Sequence, residues 1–205
     1  MTNLLKNQLD AESAKMLAEV AKQKGISLCG IQRDQTTAVF FNNYLKPPDA
    51  ILLASDLSQA GVTGSLTKLS LANNNLVEEG TKFLCDALVG NNTLKELDLS
   101  GDDSYGGTGS NIGGRAGAKH VANMLLVNGS LTSINLSENN LTNYGSDMTG
   151  IKQLAAALGV NGSLTKMRYV TFRSAPSSHI LPLTLPTALC NLTTCPLLPS
   201  VCVQP

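Results

Sequence analysis

The stretch Gly109–Gly117 reads GSNIGGRAG, and its residue types come closest to chemistry. Two glycines with four residues between them, Gly109 and Gly114, lie between a strand-like and a helix-like pattern. A phosphate-binding loop uses that arrangement because backbone N–H groups must approach an anion unobstructed. Such a loop also needs a lysine to reach the phosphates and a hydroxyl to hold Mg²⁺, but here Arg115 and Ala116 occupy those places. The stretch reads better as an asparagine–isoleucine–glycine turn entering a helix, and no cofactor is expected. His120 has no acidic or nucleophilic residue recurring beside it, so a half-buried or surface helix position is expected rather than a base or ligand. His179 is equally isolated. Cys190, Cys195 and Cys202 lack the CxxC spacing of a zinc site, so no metal is expected. Cys202 is fourth from the end, the prenylation position, but Gln204 and Pro205 fit that signal badly. Cys29 and Cys85 fall on apolar pattern positions and read as small core residues.

Composition narrows the classes further. Acidic and basic residues balance at 15 each, so neither a nucleic-acid partner nor a basic membrane-surface patch is expected. The first residues carry no secretory pattern: Leu9, Met16, Leu17 and Val20 are spaced as on an amphipathic helix, with charges between. An odd count of 5 cysteines without a signal peptide favours reduced thiols and a cytoplasmic location. Triplets such as Asn128–Ser130 and Asn161–Ser163 match a glycosylation acceptor but, without secretion, are given no meaning.

The elements that would position any site come from a repeated phrase. TGSLTKLSLANNNL (Thr63–Leu76) and NGSLTSINLSENNL (Asn128–Leu141) share the pattern L-x-x-L-x-L-x-x-N-x-L. It is met by Leu66, Leu69, Leu71, Asn74 and Leu76, and again by Leu131, Ile134, Leu136, Asn139 and Leu141. A copy from Leu94 has Leu97 and Leu99, then Asp102 where asparagine is expected. A weak first copy has Ala38, Phe40, Asn43 and Leu45. A last copy starts Leu164, Met167, Tyr169 and then loses the pattern. Residues two apart share one face of a strand. An asparagine at the strand's end can satisfy the turning backbone, so Asn43, Asn74 and Asn139 are expected to form a ladder. Behind each strand, Gly80–Leu88, Gly117–Leu125 and Gly150–Leu158 align on a glycine and a final leucine, with apolar residues at i, i+4 as on a helix. Asp49–Leu57 is the same helix in the first copy. The units are 28, 37 and 33 residues long, counted between Leu66, Leu94, Leu131 and Leu164.

On these residues the chain resembles leucine-rich-repeat proteins of the ribonuclease-inhibitor and NOD-like-receptor type, over roughly Thr36 to Tyr169. The resemblance implies an α/β solenoid with parallel strands on a concave face and helices on a convex face. Strands stack about 4.8 Å apart and helices about 10 Å, which bends the stack. Residues 1–35 read as an N-terminal helix (Ala11–Val20) and a degenerate capping repeat, with Ile26, Cys29 and Ile31 as its strand. Residues 36–173 read as the repeats. Residues 174–205 hold no charged residue and 6 of the 8 prolines. They read as a disordered tail, a cap on the last repeat, or the product of a shifted reading frame.

Residues between the buried leucines should face the concave surface and meet a partner: Lys68 and Ser70, Glu96 and Asp98, Ser133 and Asn135, Lys166 and Arg168. Ala72 and Asn73 are assigned to that face as well. The expected function is a monomeric, non-catalytic module that binds a protein. One alternative is a GTPase activator resembling the Ran activator, with Arg115 as its arginine. Another is a fragment of a larger receptor-like protein.

Overall fold

The computed structural model describes residues 2–102, 110–143 and 145–169, together with the backbone of a short strand at 183–184. The first helix, α1 (Ala11–Lys24), starts where the Asp10 side chain accepts the Ser13 N–H at 2.7 Å. The hydrogen bonds from Ser13 hold that exposed carboxyl below its usual value. The helix stops at Gly25, whose φ of 63° closes it in the left-handed conformation. Its buried stripe is Ala14, Ala18 and Ala21, small residues that let α1 lie close against the next helix.

Strand and helix then alternate. The order is β1 (Thr37–Val39), α2 (Pro47–Leu57), the one-turn α3 (Ala60–Thr63), β2 (Lys68–Ser70), α4 (Val77–Val89) and β3 (Glu96–Asp98). It continues with α5 (Gly114–Leu125), β4 (Ser133–Asn135), α6 (Thr149–Val160), β5 (Lys166–Arg168) and β6 (Leu183–Thr184). The strands form one sheet in chain order. β1 to β5 pair parallel, and β6 returns antiparallel along β5. On the helical side α1, α2, α4, α5 and α6 each pack on the next. The fold is therefore α/β, with a parallel sheet on one side and helices on the other.

Register decides what is buried. Ala38, Leu69, Leu97, Ile134 and Met167 stand side by side at the strand centres, and all five are buried. Leu71, Leu99 and Leu136 form a second inner row. Their N–H groups donate to Asp98, Asn135 and Arg168 on the next strand at 2.8–2.9 Å. Cys29 and Cys85 are buried, and burial pushes both thiols up, away from reactivity.

Two sets of asparagines close the turns. Beyond the strands, Asn74 donates to Phe40 and Leu71 carbonyls at 2.8 Å and accepts the N–H groups of Asn43 and Leu45 at 3.0 Å. Asn139 donates to Leu99 at 2.8 Å and accepts from Ile112 at 3.1 Å. Asp102 does not take the equivalent place in its unit. Asn111 does, past the long insertion, donating to Leu71 at 2.7 Å and Leu99 at 3.2 Å. Asn43 makes a local bond to Phe41 and accepts from Lys6, without reaching an earlier strand.

The second set lies before the strands and accounts for the recurring N-G-S-L phrase. Asn128 accepts the N–H groups of Ser130 and Leu131, and donates to the carbonyls of Leu88 and Asn91 in the preceding unit. Asn91 and Asn161 repeat the arrangement against Leu57 and Leu125. These amides sit in the Asn-x-Ser/Thr triplets and are consumed by the fold. Asn128→Ala would leave the buried Ser130 and Leu131 N–H groups without an acceptor, while the Leu88 and Asn91 carbonyls keep donors from Asn91 and Ser130. A loss of about 2–4 kcal/mol in urea unfolding is expected, allowing for partial relaxation.

The N-terminal region departs from the sequence expectation. Ile26, Cys29 and Ile31 do not form a leading strand of the sheet. Cys29 makes an isolated antiparallel bridge with Asn3, the Leu4 N–H donates to Leu28 at 2.7 Å, and Ile26 is exposed. The cause is Asp56 of α2, whose carboxylate accepts the N–H groups of Leu28 and Cys29. Those donors are thus committed to a side chain. The stretch 174–205 lies outside the described residues, except for the backbone pairing of β6 with β5.

Candidate functional site

Short strands with one buried central residue leave their two flanking side chains on the other face of the sheet. Lys68, Glu96, Ser133 and Lys166 make one row, in register. Ser70, Asp98, Asn135 and Arg168 make the second. All eight line one open depression of about 330 Å³ that runs across β1 to β5, with Thr37 and Val39 at its β1 end. Ala72, assigned to this surface from sequence, is instead buried. The strand has ended there and the chain is already turning under Asn74.

The charges on this face are not equivalent. Lys68 Nζ and Glu96 Oε1 pair across adjacent strands at 2.9 Å, each about half exposed. Such a surface pair contributes little stability but neutralises the left of the face. Asp98 Oδ1 accepts the Ser100 N–H at 3.0 Å and hydroxyl at 2.8 Å. Asn135 makes the same two bonds to Ser137. These two side chains therefore fasten the strand ends as well as facing outward. Lys166 and Arg168 are exposed, and neither forms an ion pair with a described residue.

The residues considered for catalysis lie elsewhere. In the glycine-rich stretch, Ser110 Oγ accepts the Gly114 N–H at 2.6 Å. A side chain at Gly113 (φ 81°) would collide with the backbone of Val77 and Glu78, and one at Gly117 with the Ile112 carbonyl. These glycines serve close chain packing, which is why they resemble a phosphate loop without its lysine. Arg115, in the first turn of α5, is paired with Asp147. His120 Nε2 lies 3.5 Å from Glu78 Oε1 on the helical side, an acidic neighbour that sequence proximity did not show. No grouping of three metal-ligating side chains occurs among the described residues, and no described helix is long and apolar enough to cross a membrane. Cys190, Cys195, Cys202 and His179 lie outside the described residues.

Asp147 supplies a pH handle. Bonds from the Thr149 hydroxyl and N–H, then from Arg115, hold its carboxyl down at about 2 against an ordinary 3.8. A lowered folded value means stability that is present above 3.8 and lost as pH falls toward 2. Asp147→Asn should therefore be less stable than the parent near neutrality, with the two unfolding curves converging by about pH 2. Acid titration of the melting temperature measures this.

No protein-family model matches the chain. A human protein does resemble it. NACHT, LRR and PYD domains-containing protein 13 is 34% identical over 131 residues, which is 63% of this chain and 10% of that protein. The chain thus spans about a tenth of the length of the relative it matches. The relative's name includes LRR, and the parallel strands backed by helices here are compatible with a repeat protein of that kind.

Three features were not legible in the sequence. Asn128 and Asn161 stand out there only as triplets within the repeated phrase, and Asn91 does not stand out at all, although all three amides close turns before the strands. Asn111 was displaced from its expected position by the insertion. The exposed Val39, Phe41 and Tyr44 fell in the weakest copy, although alternation of Ala38 and Phe40 with their neighbours could have placed the first two outward.

Proposed function

We propose that this chain is a leucine-rich-repeat interaction module, non-catalytic, which holds a protein partner on the concave sheet face and its adjoining loops. The observation that carries this reading is the register. Four successive parallel strands, β2 to β5, place Lys68, Ser70, Glu96, Asp98, Ser133, Asn135, Lys166 and Arg168 in one continuous open depression. The side chains vary from strand to strand while the buried residues beneath them repeat. The similarity to a protein named for leucine-rich repeats supports the same class. The matched stretch is only 10% of the relative, so activities of the whole relative need not reside in this portion. The module acts as a monomer in the cytoplasm and needs neither nucleic acid nor membrane, a reading supported by the balanced charge and buried thiols.

The test is a paired substitution. Asp98→Asn removes a charge but retains the bonds to Ser100, as Asn135 makes the same bonds to Ser137. Combined with Arg168→Glu, it should change stability by less than about 0.5 kcal/mol and abolish capture of a partner identified by affinity purification with the wild-type chain. Undiminished capture by the folded double variant would sink the concave-face reading. Arg115→Ala, on the helical side, should leave capture unchanged. A GTP-hydrolysis defect confined to that variant would instead point to a GTPase activator, where an arginine supplies roughly a thousandfold.

A further inference from the structure

The first unit differs from its neighbours on the outward face. Val39 stands in register with Ser70, Asp98, Asn135 and Arg168, so the row is apolar only at β1. Two residues on, Phe41 takes the place held by the buried Ala72 in the next unit and by Ser100 and Ser137 in the two after it, and Tyr44 that held by Asn75 and Asn140. These three side chains are 64%, 55% and 75% exposed. Tyr44 also has a φ of 57°, close to the 50° of Asn140. Asparagine tolerates the left-handed region, whereas a bulky aromatic residue there is strained. Neither burial nor backbone preference therefore explains a tyrosine at this position. An aromatic–aliphatic set on the end of β1 and the turn that follows it has the composition of an affinity anchor.

The opposite end of the face is cationic. Lys166 and Arg168 of β5 are exposed, and no Asp or Glu follows Asp147 in the chain, so the later sequence carries no acidic side chain to neutralise them. Between the ends, Lys68 is matched by Glu96 and Asp98 is engaged by Ser100. Four strand spacings of about 4.8 Å put the two ends roughly 19 Å apart, a span that about six residues of extended chain would cover.

We propose, on the basis of the interaction-module reading above, that the face takes an extended protein segment with two separated anchors. A large apolar side chain seats on Val39, Phe41 and Tyr44. Acidic side chains about six residues away meet Lys166 and Arg168. The apolar end supplies most of the affinity, while the acidic end sets polarity and association rate.

Panning a random dodecapeptide phage library on the intact chain tests this without knowledge of the partner. Enriched peptides should pair an aromatic or branched apolar residue with acids about five to seven positions away. The best of them, synthesised and labelled, should bind Tyr44→Asn about tenfold or more weakly, although that variant melts at or above the wild-type temperature. Phe41→Ser, which copies Ser100 and Ser137, is the second anchor variant. Arg168→Glu should weaken binding mainly through slower association, and added salt should imitate it. Failure to enrich any peptide, enrichment of peptides lacking either anchor, or undiminished binding to Tyr44→Asn and Phe41→Ser would overturn the proposal. Peptides lost on Arg168→Glu but indifferent to Tyr44 and Phe41 would overturn it while leaving the concave-face reading intact. Retained partner capture by the Asp98→Asn, Arg168→Glu protein would remove that reading itself.

Discussion

Asp56→Ala should cost the fold about 3–5 kcal/mol, among the largest losses expected from any single change. The Asp56 residue is fully buried on α2 and its carboxylate accepts three donors. They are the Ser27 hydroxyl at 2.7 Å, the Leu28 N–H at 2.9 Å and the Cys29 N–H at 3.0 Å. Alanine would leave the Ser27 hydroxyl and the Leu28 N–H without this acceptor, and the Cys29 N–H with only the Ser27 Oγ at 3.3 Å, where the N-terminal segment meets α2. Water can reach Ser27, which is only half-buried, but not Leu28 or Cys29. The loss should therefore exceed that of an ordinary surface hydrogen bond severalfold. The pH dependence has a definite sign. Burial pushes the Asp56 carboxyl up, and the bonds from Leu28, Ser27 and Cys29 only partly pull it back. A raised folded value contributes stability that is full below the ordinary 3.8 and is lost as pH rises through the folded value. The deficit of Asp56→Ala should consequently be greater in acid than at neutrality. Urea unfolding at pH 4 and pH 7 measures both effects, and a loss under about 1 kcal/mol would mean that the N-terminal segment is held by other contacts.

Leu97→Ala and Leu136→Ala should each destabilise by about 2–5 kcal/mol. Leu97 is buried in β3 between Leu69 and Ile134 of the flanking strands, and Leu136 is fully buried in the second inner row. Each side chain is wedged between neighbouring units, so the void cannot close without shifting the stack. The loss should also spread: in a linear array, weakening one central interface uncouples the units on either side. Denaturation followed at both ends of the chain should then lose its coincidence. An unchanged midpoint for either variant would contradict the register of β3 and β4.

What the sequence determined by itself is the periodic part. The leucine pattern identified Leu69, Leu97 and Ile134 as strand centres, because burial imposes the same residue type at the same spacing in every unit. The i, i+4 leucines placed the helices for the same reason. Asn74 and Asn139 were legible because a turn that recurs needs the same amide each time. The rest required tertiary structure, for three physical reasons. Asp56, Asn111 and Asn128 each have partners in another unit that lie 27–40 residues away, and no local pattern announces a hydrogen bond between units. The N-terminal segment before β1 is not periodic. Its backbone donors go to an aspartate instead of a neighbouring strand, so the apolar spacing of Ile26, Cys29 and Ile31 misled. The outward face carries no packing constraint, so its sequence is free to vary. Only strand register could show that Val39 and Arg168 occupy equivalent places at the two ends of the depression across β1 to β5.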